Sequence, residues 1–325
     1  METISHGSFK NELQYINLGK SILEKGKEKT DRTGVGTIST FGEQVTFDLQ
    51  AGFPIATTKF VPFRLILSEL LWFLRGDSNI KFLLENNNHI WDEWPFKKWV
   101  ESDEYNGPDM TDFGKRASTD EEFNKIYQEQ KKIFVDKILT DDDFANKFGE
   151  LGHVYGAQWR KWQTRRGKTI DQIKDVINQI KTNPDSRRMI VTAWNPEDLP
   201  EMLLPPCHLL MQFYVNNGEL SCQFYQRSMD FFLGEFFDIP SYAILTHIIA
   251  RECGLKVGKL VQSIGDAHIY KNHMEQVKTL LSREMHEEPK LIFPNGTKPI
   301  NEYTIEDIKL DNYKHEPGIK APVAV

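Results

Sequence analysis

Apolar positions recur along the chain at two periods. Phe9, Leu13, Ile16 and Leu23 are spaced as on one face of a helix that stops near Gly26. Val45, Phe47 and Leu49 instead alternate with polar residues, as in a half-buried strand. Residues 65–74 are apolar almost all round and end at Gly76, the pattern of a buried helix. Ile173, Val176, Ile177 and Ile180 predict an amphipathic helix before Pro184, and residues 189–194 predict a strand. Residues 209–215 and 219–225 flank Asn216-Asn217-Gly218, a hairpin signal. Residues 239–253 read as an apolar helix closed by Gly254, and 259–270, 290–293 and 304–310 read as further strands. Residues 117–149 are dense in Asp, Glu and Lys, so a solvated helical insertion is expected over residues 100–149. The pattern predicts an α+β fold around a strand-built core. No repeat or Pro/Gly/Ser-rich linker divides the chain, so one domain over residues 1–325 is expected.

Composition narrows this further. Hydrophobic residues at 39% and charged residues at 27% describe a globular chain, excluding a collagen or a disordered acidic tail. No apolar run approaches the roughly 20 residues of a membrane span. The N-terminus lacks a basic stretch leading into an apolar one, and three cysteines make no disulfide framework, so a cytoplasmic location is expected. A net charge of −7 argues against a nucleic-acid partner.

Cys207 lies in Leu204-Pro-Pro-Cys-His208, directly before a predicted strand. A thiol beside a histidine is a candidate nucleophile, because thiolate is the attacking species; a buried structural cysteine is the alternative. Cys222 and Cys253 read as structural. Arg32, in Asp31-Arg-Thr-Gly-Val-Gly-Thr37, and Arg187, Arg188 and Arg227-Ser228 lie at loop or strand ends. Guanidinium forks match phosphate, so these arginines suggest a phosphate site if the fold gathers them. His268 and His273 lack the spacing of a metal site, and none is expected. Trp91, Trp94, Trp159 and Trp162 suit a flat ligand or the core.

Taken in order, these segments closely resemble the thymidylate synthase family. The matching stretches are Asp31-Arg-Thr-Gly-Val-Gly-Thr37, Phe53-Pro54, Thr57-Thr58-Lys59, Glu69-Leu-Leu-Trp-Phe73, Ile90-Trp-Asp-Glu-Trp94, Val154-Tyr-Gly156 and Gln158-Trp-Arg160. Asp185-Ser-Arg-Arg188, Pro205-Pro-Cys-His208, Gln226-Arg-Ser228, Gly265-Asp266, His268, Tyr270 and Lys320-Ala-Pro-Val-Ala-Val325 continue the likeness. The resemblance implies a large twisted mixed sheet flanked by helices and a homodimer packed through those sheets. It implies that Cys207 attacks C6 of a pyrimidine nucleotide, whose C5 then takes a one-carbon unit from 5,10-methylenetetrahydrofolate. Glu69, Tyr155, His208 and Asp230 would be catalytic. Arg32, Gln226, Arg227, Ser228, Asp230, His268 and Tyr270 would hold the nucleotide, with Arg187 and Arg188 completing the partner subunit's phosphate site. Lys59, Ile90, Trp91, Trp94, Leu204, Gly234, Phe237 and Val325 would border the folate.

The chain departs from the family in Leu233-Gly-Glu-Phe-Phe-Asp-Ile-Pro240. Glu235 replaces a small apolar residue, Phe236 a proline, Asp238 an asparagine and Pro240 an alanine. The family asparagine reads uracil with its amide. Asp238 lacks the amide donor and, like the Asp of dCMP hydroxymethylases, suits cytosine. An opposed buried polar pair costs about 1–3 kcal/mol, roughly ten- to a hundredfold. Glu235 is expected to face the folate and activate water. Cytidylate hydroxymethylation, on dCMP or CMP, is therefore the expectation. The alternatives are methylation of dUMP to dTMP and methylation of dCMP. Pro206-Cys207 also resembles DNA cytosine methyltransferases, but no S-adenosylmethionine-binding unit or basic DNA face accompanies it. A non-catalytic nucleotide-binding relic is disfavoured by the retention of Cys207, Glu69, Tyr155 and His208.

Overall fold

The computed structural model describes residues 9–31 and 34–322. Helix α1 (Glu12–Lys25) leads into strands β1 (Lys27–Lys29) and β2 (Thr37–Asp48), then helix α2 (Phe63–Leu74). Helices α3 (Lys81–Glu85), α4 (Glu93–Val100), α5 (Phe113–Thr119), α6 (Glu121–Thr140), α7 (Asp142–Phe148) and α8 (Tyr155–Lys161) follow. A short hairpin, β3 (Trp162–Gln163) and β4 (Thr169–Ile170), precedes α9 (Gln172–Thr182), β5 (Ile190–Thr192), β6 (His208–Asn216) and β7 (Glu219–Asp230). Helix α10 (Glu235–Glu252), strand β8 (Lys256–Tyr270), helix α11 (Met274–Ser282) and a ribbon of β9 (Lys290–Ile292) with β10 (Lys309–Asp311) complete the order.

The architecture is mixed α+β. Six strands form one sheet in the order β1-β2-β8-β7-β6-β5. All neighbours are antiparallel except β7 and β8. A parallel pair needs a crossover, and α10 supplies it. That helix is apolar on all sides and buried along most of its length, with Phe236, Ile244, Leu245 and Ile248 fully enclosed. Each such side chain contributes roughly 1.5–3 kcal/mol of burial. The crossover therefore fixes the end of β7 against the start of α10, where the departures from the family pattern fall.

The β6–β7 turn has positive φ at Asn217 (50°) and Gly218 (76°), as its Asn-Asn-Gly sequence predicts. Other expectations shift. The buried face of α1 is Tyr15, Ile16, Leu18 and Ile22, while Leu13 is exposed, because the helix packs on the sheet one position round from the predicted stripe. Residues 304–308 turn rather than pair, leaving only Lys309–Asp311 as strand. The 117–149 segment is helical but not merely solvated. Phe123, Tyr127, Phe134 and Phe148 are buried, and Phe113, Tyr127 and Phe134 surround Phe96 of α4. The expected helix over 239–253 begins earlier, at Glu235, so Pro240 sits in its second turn.

Candidate active site

Cys207 precedes β6, and a register shift between His208 and Leu210 turns the strand end there. The Tyr155 hydroxyl accepts the Cys207 backbone N–H at 2.7 Å. Tyr155 itself has φ 28°, a left-handed conformation unusual for an aromatic residue. The following Gly156 lets α8 approach α2, since a Cβ there would lie 2.3 Å from the Phe73 carbonyl oxygen. Arg227 donates from Nε to the Pro206 carbonyl and from Nη2 to the Pro205 carbonyl, each at 2.9 Å. It thereby clasps the cysteine loop and places a fixed positive charge beside it. Burial pushes the Cys207 thiol up, while Arg227 and a hydrogen bond from Tyr155 draw it back toward thiolate.

His208 is buried against the Tyr155 ring, with centroids 4.4 Å apart. Its Nδ1 lies 2.9 Å from the Tyr242 hydroxyl. Burial pushes His208 down to about 3, so the imidazole is neutral. Across from it, Glu69 of α2 accepts from Trp91 Nε1 at 2.6 Å. Burial raises Glu69 to about 8 despite that bond. Glu69 is therefore a protonated acid at neutral pH.

The opposite wall is the start of α10. Asp238 Oδ2 accepts from Gln226 Nε2 at 2.7 Å, and Oδ1 lies 3.6 Å from His208 Nε2. Only 16% of the Asp238 side chain is open. Burial raises it to about 7, Gln226 opposing. A helix start favours a negative charge by about 0.3–1 kcal/mol at a surface. A rise from 3.8 to about 7 is a larger effect, at roughly 1.4 kcal/mol per pH unit, so desolvation wins here.

Glu235 does not open toward a ligand. It is fully buried, its Oε2 accepts from Gln262 Nε2 at 2.7 Å, and its Oε1 has no partner. The expected water-activating carboxylate thus lies beneath the site, because its position on α10 faces β8. Lys59 is similarly interior. Its ammonium sits 4.1 and 4.0 Å from the Phe232 and Phe236 rings and donates to the Phe232 carbonyl at 2.5 Å. Burial lowers it to about 7. Phe236, the residue in place of proline, closes this aromatic cage.

Asp230 accepts from the Phe232 backbone N–H at 3.0 Å and caps the β7–α10 turn. Ser228 lies two residues before it, and its carbonyl accepts from Gln226. His268 is buried on β8 with Nδ1 3.1 Å from Asp266, and Tyr270 follows on the same strand, its ring 5.2 Å from that of His268. Trp91 and Trp94 pack together at 5.3 Å, and Ile90, Leu204, Gly234 and Phe237 are half-buried. Arg187 and Arg188 are exposed in the turn before β5, outside this cluster. Arg32 and Val325 lie outside the described residues. Among the described residues, no His, Cys, Asp and Glu group could hold a metal ion, and no helix is long and apolar enough to cross a membrane.

Sequence reasoning missed Gln262 and Tyr242. Gln262 occupies an inward register position between Leu260 and Ile264, and a polar residue on the apolar face of a strand was its signal. Tyr242 sits inside an apolar helix, and nothing in its spacing marks it as the partner of His208.

The family model described as thymidylate synthase matches residues 13–325. A curated protein from Listeria monocytogenes serotype 4a (strain HCC23), named thymidylate synthase, is 59% identical over 312 residues, covering 96% of this chain and 99% of its own length. Proteins of the same name from serotype 4b strains F2365 and CLIP80459 share the same identity and coverage.

Proposed function

Because the chain belongs to the thymidylate synthase family, and so is a one-carbon transferase that uses 5,10-methylenetetrahydrofolate, we propose that it methylates dUMP at C5 to give dTMP. The observation that carries this reading is Cys207 held between Arg227 and Tyr155, facing neutral His208, Glu69 raised to about 8 and Asp238 raised to about 7. The Cys207 thiolate forms a bond to C6, and the electron pair of the C5–C6 double bond moves toward O4. Neutral Asp238 carries one O–H donor and one carbonyl acceptor, the same pair that an amide offers to uracil. Its O–H stabilises the charge that develops at O4. When bound, the folate supplies the one-carbon unit and the hydride. Glu69, near 8, exchanges protons at the pyrimidine. Loss of the C5 proton to a base and cleavage of the sulfur–C6 bond, whose electron pair returns to sulfur, regenerate the Cys207 thiolate.

The nucleotide phosphate falls to Arg227 with Arg32, and to Arg187 and Arg188 across a homodimer. The outward face of the sheet supports that dimer. It presents Ile190, Gln212, Tyr214, Gln223 and Tyr225, all exposed on β5, β6 and β7. Trp94, Leu204 and Phe237, each apolar and half-buried, support the folate site. A cytoplasmic location goes with this reading.

Asp238 favours a second reading, in which the base is cytosine. A neutral carboxyl also matches cytosine, donating to N3 and accepting from the 4-amino group. Hydroxymethylation has less support, because Glu235 is engaged by Gln262 rather than turned toward the folate. The test offers methylenetetrahydrofolate with dUMP, dCMP, UMP and CMP in competition and weighs the products. A methyl gain on dUMP is expected. A modified cytidylate, or a hydroxymethyl gain on any of the four, would overturn the proposal.

A further inference from the structure

Glu235 and Asp238 are two departures from one family pattern, three residues apart, and the structure joins them through a chain of side-chain amides. Gln262 Nε2 donates both to Glu235 Oε2 at 2.7 Å and to Gln226 Oε1 at 2.8 Å. With its oxygen thus occupied, Gln226 can turn only its amino group outward, to Asp238 Oδ2 at 2.7 Å and the Ser228 carbonyl at 3.3 Å. Gln262, Glu235 and Gln226 are at most 2% exposed, so water does not compete for these bonds.

We propose that Glu235 is a positioning residue for base recognition: through Gln262 and Gln226 it fixes which oxygen of Asp238 accepts and which is left to face the nucleotide as donor. This rests on the pyrimidine-reading role proposed above for Asp238. Gln262 has one amide nitrogen and bonds two oxygens with it. If residue 235 were apolar, one of those two donor bonds would have no acceptor. The Gln262 amide would then be free to turn over and offer its oxygen to Gln226 instead. Gln226 would answer by presenting its own oxygen to Asp238 Oδ2 and taking the single carboxyl proton in that bond, so that Asp238 would face the nucleotide with acceptors alone. Uracil and cytosine present opposite orders at positions 3 and 4, so losing the fixed donor removes the preference for one order and changes base preference rather than stability alone.

The other charged and titratable groups facing Asp238 are Cys207, Glu69, His208 and Asp230, with Tyr155 and Tyr242 behind them. His208 pairs with Gln226 along the β6–β7 backbone, but none of these side chains hydrogen-bonds the Gln226 or Gln262 amide among the described residues, so the amide chain is the hydrogen-bonded route from Glu235, beside the direct interaction of the two carboxyls.

The experiment measures dissociation constants of dUMP and dCMP by calorimetry for the whole protein and for Glu235→Val, Glu235→Gln and Gln262→Met. Glu235→Val and Gln262→Met should shift the dUMP-to-dCMP affinity ratio by about tenfold or more, the scale of one mispaired buried polar group. Glu235→Gln keeps a carbonyl for Gln262 and should hold the wild-type ratio. A structural role alone would weaken both nucleotides equally. An unchanged ratio in Glu235→Val, or in Gln262→Met if the valine variant does not fold, overturns the inference while leaving the proposed function intact. Binding of neither nucleotide by the wild-type protein overturns both.

Discussion

The two walls of the cleft are built on different principles. The Cys207 wall is held by backbone: Arg227 grips two proline carbonyls, and Tyr155 takes the Cys207 amide from a strained φ. Its chemistry is fixed by loop geometry, and its sequence follows the family throughout. The α10 wall is oriented by a side-chain relay from Glu235 to Asp238, and it carries the substitutions. A backbone-held nucleophile tolerates little change, because moving it moves the loop. A side-chain relay can be rewritten one residue at a time, provided each change restores the donor and acceptor count. The comparison teaches that reaction and base choice are separable in this fold.

Replacing Cys207 with Ala tests the first wall most severely. Turnover of every nucleotide should fall to background, because no other described group in the cleft is a nucleophile aimed there. Nucleotide affinity should persist, since the Arg227 clasp uses the Pro205 and Pro206 carbonyls and not the sulfur. Surviving turnover, measured as dTMP formation, would show that catalysis does not pass through the C6 adduct.

Replacing Asp238 with Asn tests the second wall. Asp238, raised to about 7, loses its donor as pH rises through that value. Uracil binding and turnover should therefore decline from pH 6 to pH 8 in the wild-type protein. The amide of the variant does not titrate, so this limb should vanish. At pH 8 dUMP kcat/KM should rise relative to dCMP by about ten- to a hundredfold. Retention of the limb in Asp238→Asn would assign it to another group, Glu69 being the next candidate at about 8.

These contrasts explain what the sequence made legible. Alternation and helical spacing placed β2, α2, α9 and the β6–β7 hairpin, because burial on one face leaves a periodic mark. The resemblance marked Cys207, Tyr155, Arg227, Glu69 and Asp238 before any contact was known. Glu235 and Lys59 were read as facing the folate, yet both are interior. The direction of a side chain at a helix start depends on how α10 meets β8, and a one-dimensional pattern does not carry that angle. The acidic 117–149 segment hid its aromatic contacts for a related reason. Tyr127 and Phe134 are sparse among charges but converge on Phe96, a residue outside the segment.

The smallest effect concerns stability. Glu69, Glu235 and Asp238 have folded-state values of about 8, 8 and 7, above the 4.5, 4.5 and 3.8 of free carboxyls. The folded chain therefore binds more protons than the unfolded one. Their stabilising contribution is whole below about pH 4, declines as pH rises, and is gone above about 8. His208, lowered to about 3, has the opposite sign below its free value of 6.5, and Lys59, lowered to about 7, has the opposite sign above 7. The total slope is thus a compromise, and a single-variant difference reads one group cleanly. Glu235→Gln keeps the bond to Gln262 and removes one titrating site. Between pH 5 and 7 its unfolding free energy should lose less with rising pH than that of the wild-type protein, by about 1.4 kcal/mol per pH unit, the value of one proton. Denaturant titrations across that range measure the difference. Parallel slopes for the two proteins would mean that Glu235 is ionised in the folded chain, and that its unpartnered Oε1 carries no proton.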